Sequence, residues 1–231
     1  MRTNFLPILL VAVNSVFLSA QTGRQPVRLS FQEIDGIVSV EAEHFLSQSQ
    51  DDVRKWHETS SNNTPSGMPD GDAPHLENAS GGAYLELLPD TRRNHDEELI
   101  HSENFSNLPG KLAVLDYPIH FQHPGRYYVW VRAYSSGSED NGIHVGLNGE
   151  WPDSGQRMQW CEGKNEWTWA SRQRTQEVHC GVEKLIYLDI PAAGRHVVSF
   201  SMREDGFEFD KFVLSREYAE PQGEGPAETR K

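Results

Sequence analysis

Two glutamates, Glu41 and Glu43, stand two residues apart in the run Ile37-Val38-Ser39-Val40-Glu41-Ala42-Glu43. Successive side chains of an extended strand point to opposite faces, so this spacing places both carboxylates on one face. Like charges that close repel unless a cation or hydrogen bonds hold them. Calcium takes about six to eight oxygen ligands, and paired carboxylates with loop carbonyls suit it. Asp210 is a third acid, set in the strongly apolar stretch Phe207-Glu208-Phe209-Asp210-Lys211-Phe212. A lone carboxylate buried there is costly unless it is paired or metal-bound. By spacing alone, calcium is the weaker reading for the three, beside acids that are simply hydrogen-bonded or solvated.

Aromatic residues supply a second kind of chemistry. In residues 127–134, Tyr127, Val129, Val131 and Ala133 alternate with Tyr128, Trp130, Arg132 and Tyr134. The first set reads as core. The second is an aromatic ladder with a bidentate donor in it. Sugar rings stack their C–H faces on aromatic rings and offer hydroxyls to Arg, Asn and Asp, so this face is a candidate glycan platform. The alternative is packing against another sheet or a covering loop, since large aromatics are mostly buried. Trp151, Trp160, Trp167 and Trp169 put four of the six tryptophans into nineteen residues. They read either as a recognition loop or as a loop with its own small core. Trp167 and Trp169 share a face if the segment is extended.

Catalytic motifs are missing: there is no G-x-S-x-G, H-E-x-x-H, Gly-rich phosphate loop or EF-hand loop. Carboxylate pairs abound in so acidic a chain, so a glycosidase pair stays open. His144, His179, Tyr187 and Arg174 are of types that a lyase uses, but they form no motif. Arg92, Arg93, Arg132, Arg172 and Arg174 offer a local site for uronic or sulfated sugars.

The elements that must position these residues are short strands. Apolar runs at 37–43, 83–87, 114–121, 126–134, 142–148, 185–190, 196–203 and 207–214 are each bounded by Gly, Pro, Asn or Asp. No amphipathic helix interrupts them. Many short strands with turns between them predict an all-β sandwich. The stretches 44–82, 89–112 and 149–183 are long insertions, the usual place of function on a rigid scaffold.

At the N-terminus, Arg2, an apolar run over 5–18 and Leu18-Ser19-Ala20 predict a secretory signal over 1–20. A retained membrane anchor is the alternative, though the run is short for a span of ~20 residues. Residues 21–35 read as a linker and first strand, 36–218 as the domain, and 219–231 as a disordered tail without an apolar anchor. A formal net charge of −13 argues against nucleic acid and against an anionic membrane surface. Cys161 and Cys180 predict one disulfide in an exported protein, with two buried free thiols as the alternative.

The segment 37–45 resembles the opening strand of carbohydrate-binding modules of families 6 and 35. It is closer still to the C-terminal module of family 115 glycoside hydrolases, where V-x-x-E-A-E-x-F precedes a Trp-containing stretch like Val53-Arg54-Lys55-Trp56. The end is similar too: Gly194-Arg195-His196 leads to Arg203-Glu204-Asp205-Gly206, then Asp210 and Leu214, in the modules' order. Residues 125–148 resemble their G-x-Y-x-V-W-V-R strand and hairpin, and the whole likeness spans 36–215. It implies a jelly-roll β-sandwich, a structural calcium on Glu41, Glu43 and Asp210, and glycan binding by loops or a concave face. Binding residues vary among such modules. Trp56, Tyr84, Trp130, Arg132, Trp151, Trp160 and Trp167 are therefore chosen on chemistry.

The expectation is a secreted or periplasmic, free-standing and non-catalytic binder of polysaccharide. It would be an accessory to enzymes that degrade plant or algal cell walls. A polysaccharide lyase or glycoside hydrolase on the same scaffold is the alternative.

Overall fold

The computed structural model describes Met1 and residues 30–231, so the signal at 1–20 and most of the linker lie outside the described residues. The chain opens with β1 (Phe31–Gln32), β2 (Ile37–Glu41), β3 (Ser47–Ser49), β4 (Lys55–Ser60) and β5 (Ala83–Leu88). β6 (Val114–Phe121), β7 (Gly125–Tyr134), β8 (Gly142–Leu147), β9 (Met158–Gln159) and β10 (Thr168–Ala170) follow. β11 (Arg172–Gln173), β12 (Val182–Glu183), β13 (Tyr187–Ile190), β14 (Gly194–Met202) and β15 (Glu208–Ser215) complete it. Every predicted apolar run overlaps one of these strands. The remaining strands are short and lie at the start of the chain or inside the insertions.

The strands form two sheets, one ordered β1-β6-β14-β8-β9-β11-β12 with β3 on β6, the other β10-β7-β15-β5-β4 with β13 on β7 and β2 on β15. Pairing is antiparallel except between β1 and β6. Inward residues alternate along each strand and meet between the sheets. Leu115, Tyr117, Val145, Val198 and Phe200 come from the first sheet; Leu85, Leu87, Val129, Val131 and Phe212 come from the second. Edge-to-face rings lock the two together, with Phe200 4.9 Å from Phe209 and Tyr117 4.9 Å from Phe212. The predicted β-sandwich is thus the fold observed.

Two expectations give way. β2 ends at Glu41, and Ala42–His44 is a single 3-10 turn, so Glu43 does not continue the strand. Nor is the segment 219–231 free of the domain. The Thr229 N–H donates to the Ser39 carbonyl (2.9 Å), and the Gln32 N–H donates to the Thr229 carbonyl (2.9 Å). His44 Nδ1 meets Glu228 at 2.8 Å. Backbone pairing along β1 and β2 anchors this segment, and composition carries no sign of that.

The Arg203-Glu204-Asp205-Gly206 stretch is structural. Asp205, fully buried, accepts from Arg54 Nη2 (3.0 Å) and from the Thr91 N–H (2.9 Å) and hydroxyl (2.8 Å). One carboxylate thereby ties the start of β4 and the insertion 89–112 to the head of β15.

Candidate functional site

The outer face of the second sheet carries polar side chains in rows. His57, Glu86, Glu208 and Tyr134 stand opposite one another across β4, β5, β15 and β7. Their strand neighbours Leu85, Leu87, Phe209 and Ala133 are core, so period-two alternation turns these four outward. Tyr84 and Arg132 lie two residues along from Glu86 and Tyr134, on the same face.

Two insertions fold onto this face. The segment before β5 lays the His75 ring on Tyr134, nearly parallel with centroids 3.7 Å apart. The His75 N–H donates to the Tyr84 hydroxyl (3.1 Å), and His75 Nδ1 shares a hydrogen bond with the Glu208 carboxyl (2.9 Å). Burial lowers the His75 pKa and raises that of Glu208 well above the usual carboxylate value, favouring the neutral form of both. The segment before β10 brings Trp167, whose indole N–H donates to the His75 carbonyl (3.0 Å). Its ring meets Tyr84 at 5.2 Å and Tyr134 at 5.4 Å, edge to face. The Cys161–Cys180 disulfide closes the loop that carries Trp167 and Trp169.

Between these segments lies an open cleft of about 700 Å³, lined by His75, Asn78, Arg132, Tyr134, Glu166 and Trp167 among others. Its aromatic rings are held by one another and by backbone carbonyls, and exposed amide and carboxylate groups surround them. Such a cleft offers apolar planes beside hydrogen-bonding groups, with little side-chain freedom left to lose on binding.

Of the residues chosen from the sequence, the cleft brings together Arg132 and Trp167, while Tyr84 is fully buried beneath Trp167 and supports it without reaching the cleft. Arg132 Nη1 donates to Asp210 (2.7 Å) and to the Asn78 carbonyl (3.0 Å), so it braces the wall from beneath. Trp56 and Trp160 are each only 2 % exposed and cannot present a face to a sugar. The Trp56 indole N–H donates to the Ala113 carbonyl (2.8 Å), and Trp160 packs edge-on against Phe207. Trp130 is covered by Tyr218 at 4.9 Å, so the middle of the aromatic ladder is packing. Trp151 lies apart, beside Gly146 of β8, in a separate cleft of about 530 Å³ with Asn148 and Asp116.

Sequence reasoning missed His75, Glu86 and Glu208. The last two carried a signal, since each alternates with core residues on its strand. His75 sits in a loop and carried none. The other candidate groups do not assemble. His144 is a buried histidine on the first sheet, held neutral with its pKa near 4 by burial; its Nε2–H donates to the Ser106 carbonyl (3.0 Å). Tyr187 is on the second sheet, under the Arg126 guanidinium. Four of the five arginines proposed for an acidic sugar are already paired: Arg92 with Glu139, Arg93 with Glu97, Arg132 with Asp210, and Arg172 with Glu183.

Glu41, Glu43 and Asp210 do meet, because the 3-10 turn swings Glu43 back beside Glu41. Gly81 makes room for them: with φ at +66°, a side chain there would be strained, and a Cβ would touch Glu43 Oε1 at 3.5 Å. Lys211 Nζ binds Glu41 Oε1 (2.8 Å), and the Ser80 hydroxyl donates to the same oxygen (3.0 Å). Asp210 accepts from Arg132 and from the Ser80 N–H (2.7 Å). Three carboxylates therefore face two cations. Burial, reinforced by Glu41 and Asp210, pushes Glu43 up to about 8, and burial pushes Asp210 up to about 7 against the pull of Arg132. Glu41 Oε2 and Glu43 Oε2 are buried without a hydrogen-bond partner among the described residues. These two oxygens fit a hard cation, while Asp210 is engaged by Arg132.

Residues 72–228 match the family model of the glycosyl hydrolase family 115 C-terminal domain. The uncharacterized protein P23 of Formosa agariphila is 60 % identical over 185 residues, covering 80 % of this chain; the chain spans 45 % of that relative's length. Among solved structures, a family 35 carbohydrate binding module from Clostridium thermocellum is 11 % identical with a TM-score of 0.43, covering 77 % of this chain and 96 % of that one. The C-terminal CBM6 of the marine laminarinase LamC from Zobellia galactanivorans is 14 % identical with a TM-score of 0.40, covering 78 % and 99 %. Each structural match is a likeness of fold only.

Proposed function

Since this chain belongs to the family of glycosyl hydrolase family 115 C-terminal domains, we propose that it is a non-catalytic polysaccharide-binding protein whose ligand lies in the cleft of Tyr134, Arg132 and Trp167. The observation that carries the reading is the locked aromatic corner. Trp167 and Tyr134 stand edge to face at 5.4 Å, and Trp167 is fixed by its bond to the His75 carbonyl. Sugar C–H faces suit these rings, and sugar hydroxyls suit Asn78 and Glu166 at the rim. The ring of Trp167 is half-buried, as an anchor must be if it is to be both held and reachable.

Glycans of plant or algal walls are the substrate class proposed, with enzymes that cut them as functional partners. Action outside the cytoplasm, secreted or periplasmic, is supported by the disulfide, which persists in oxidising compartments. A structural calcium on Glu41 and Glu43 is part of the same reading, supported by their two unpartnered oxygens. When bound, it would balance the surplus carboxylate and pin the turn after β2 to the end of that strand. Its loss in EDTA should lower the Tm.

Affinity electrophoresis against a panel of plant and algal polysaccharides tests the binding. Retardation by at least one glycan is expected, weakened about tenfold or more in Trp167→Ala and unchanged in Trp151→Ala. No retardation by any glycan, or retardation that survives in Trp167→Ala, counts against the cleft. Release of reducing ends or unsaturated products would replace the binder with an enzyme.

A further inference from the structure

A second acidic group lies on the same face, outside the glutamates near β2. Glu86 and Glu208 stand directly opposite on β5 and β15, only 4 % and 3 % exposed. Asp70 and Asp72, exposed on the loop before β5, lie beside them. The carboxylate oxygens of Asp70, Asp72 and Glu86 lie within 4.8 Å of one another; so do the ligating atoms of Asp72, His75 and Glu208. Opposed like charges on a sheet destabilise it, and a buried carboxylate without a partner costs several kcal/mol as an order of magnitude.

The groups that face Glu86 from the surrounding elements do not relieve this. β4 offers His57, whose pKa burial lowers. β15 offers Glu208, and the loops offer Asp70, Asp72 and Asp90, all of them acids. β7 adds Tyr134, opposite Glu208. Arg93 approaches, but its guanidinium is taken by the Gly71 carbonyl (3.0 Å) and Glu97 (3.2 Å). Glu208 has His75. Glu86, more than nine-tenths buried and directed at Asp70 and Asp72, makes no hydrogen bond or ion pair with any described residue. Burial first, then Glu208, Asp70 and Asp72, push its carboxyl up to about 10.

We propose that Asp70, Asp72 and Glu86 form a binding site for a hard divalent cation of the calcium class, which fastens the loop before β5 to the second sheet. The donors are all oxygens, which suits calcium; the one nearby nitrogen, His75 Nδ1, is engaged with Glu208. The fastened loop carries His75 and Asn78 into the cleft. This site stands whether or not the cleft binds a glycan, and it is separate from the calcium proposed at Glu41 and Glu43.

Terbium luminescence on the full folded chain tests it, with Tyr84, Tyr134 and Trp167 as sensitisers and calcium as competitor. The expected result is a calcium-displaceable emission that Glu86→Gln and Asp72→Asn weaken at least tenfold in affinity, with unchanged circular dichroism. Glu43→Gln should leave that emission in place. Emission unchanged in Glu86→Gln, emission lost only in Glu43→Gln, or no terbium bound by the folded protein would each overturn the site. Limited proteolysis of the loop 61–82 reads the fastening. Calcium should slow cleavage in the wild type and not in Glu86→Gln; equal rates with and without calcium in the wild type overturn that role.

Discussion

Two groups of acids gather on one face of the second sheet, Glu41, Glu43 and Asp210 at one place and Asp70, Asp72, Glu86 and Glu208 at another. In the first group, Lys211 and Arg132 are built in, each in direct contact with a carboxylate. In the second group, His75 is the one basic partner among the described residues, and it meets only Glu208. Each cluster has buried carboxylates, Glu41 and Asp210 in the first, Glu86 and Glu208 in the second, where Asp70 and Asp72 are exposed; the counter-charges differ. The first cluster holds most of its charge from within the chain. The second holds it only through protons or through something from solution. Acidic residues alone do not mark a cation site; the local balance of charge does.

The largest effect should come from breaking the balanced cluster. Arg132→Met leaves Asp210, fully buried, with only the Ser80 N–H, and should cost about 3–5 kcal/mol in urea unfolding. A loss under about 1 kcal/mol would show that Asp210 simply takes up a proton, and the contrast between the clusters would shrink.

Next in size is calcium itself. At a hundredfold excess over its Kd, one site should stabilise the protein by about 2.7 kcal/mol. Measured as a Tm shift at pH 8, that gain should fall in Glu86→Gln and should also fall, separately, in Glu43→Gln. Loss in only one of the two variants would assign all the binding to one cluster.

Smaller is the intrinsic strain of the second cluster. Glu86 has a folded pKa near 10 against an ordinary 4.5, so the folded state binds the extra proton between those values. Its stabilising contribution is full below pH 4.5 and is lost as pH rises toward 10. In EDTA, Glu86→Gln should therefore be more stable than wild type at pH 8, by about 1 kcal/mol or more, with a flatter pH profile. A less stable variant would mean that the carboxylate has a partner after all.

The smallest effect belongs to an exposed pair on the same sheet. Arg126 and Asp189 meet at 3.1 Å with side chains 45 % and 60 % exposed. Arg126→Ala should change stability by no more than about 0.5 kcal/mol.

The strands were legible because each needed only local alternation, and the sandwich followed from their number and spacing. β4 was harder. Trp56 is the one large apolar residue in Lys55–Ser60, so the strand shows no alternation and is recruited by pairing with β5. The cleft was legible in part. Trp167 and Arg132 carried signals of chemistry, but Trp56 and Trp160 carried the same signals and lie in the core. Aromatic side chains serve packing and recognition equally well, and only burial separates the two.

By itself the sequence determined the β class, the alternation that sorts inward from outward side chains, and the pair of cysteines. Those properties reside in neighbours along the chain, where period-two sterics and turn residues act. Tertiary structure alone decided which tryptophans face solvent, that His75 lies on Tyr134, that Glu43 turns back to Glu41, and that Thr229 pairs with Ser39. Each of these depends on contacts between segments far apart in the chain, where burial and charge balance set the outcome and local pattern is silent.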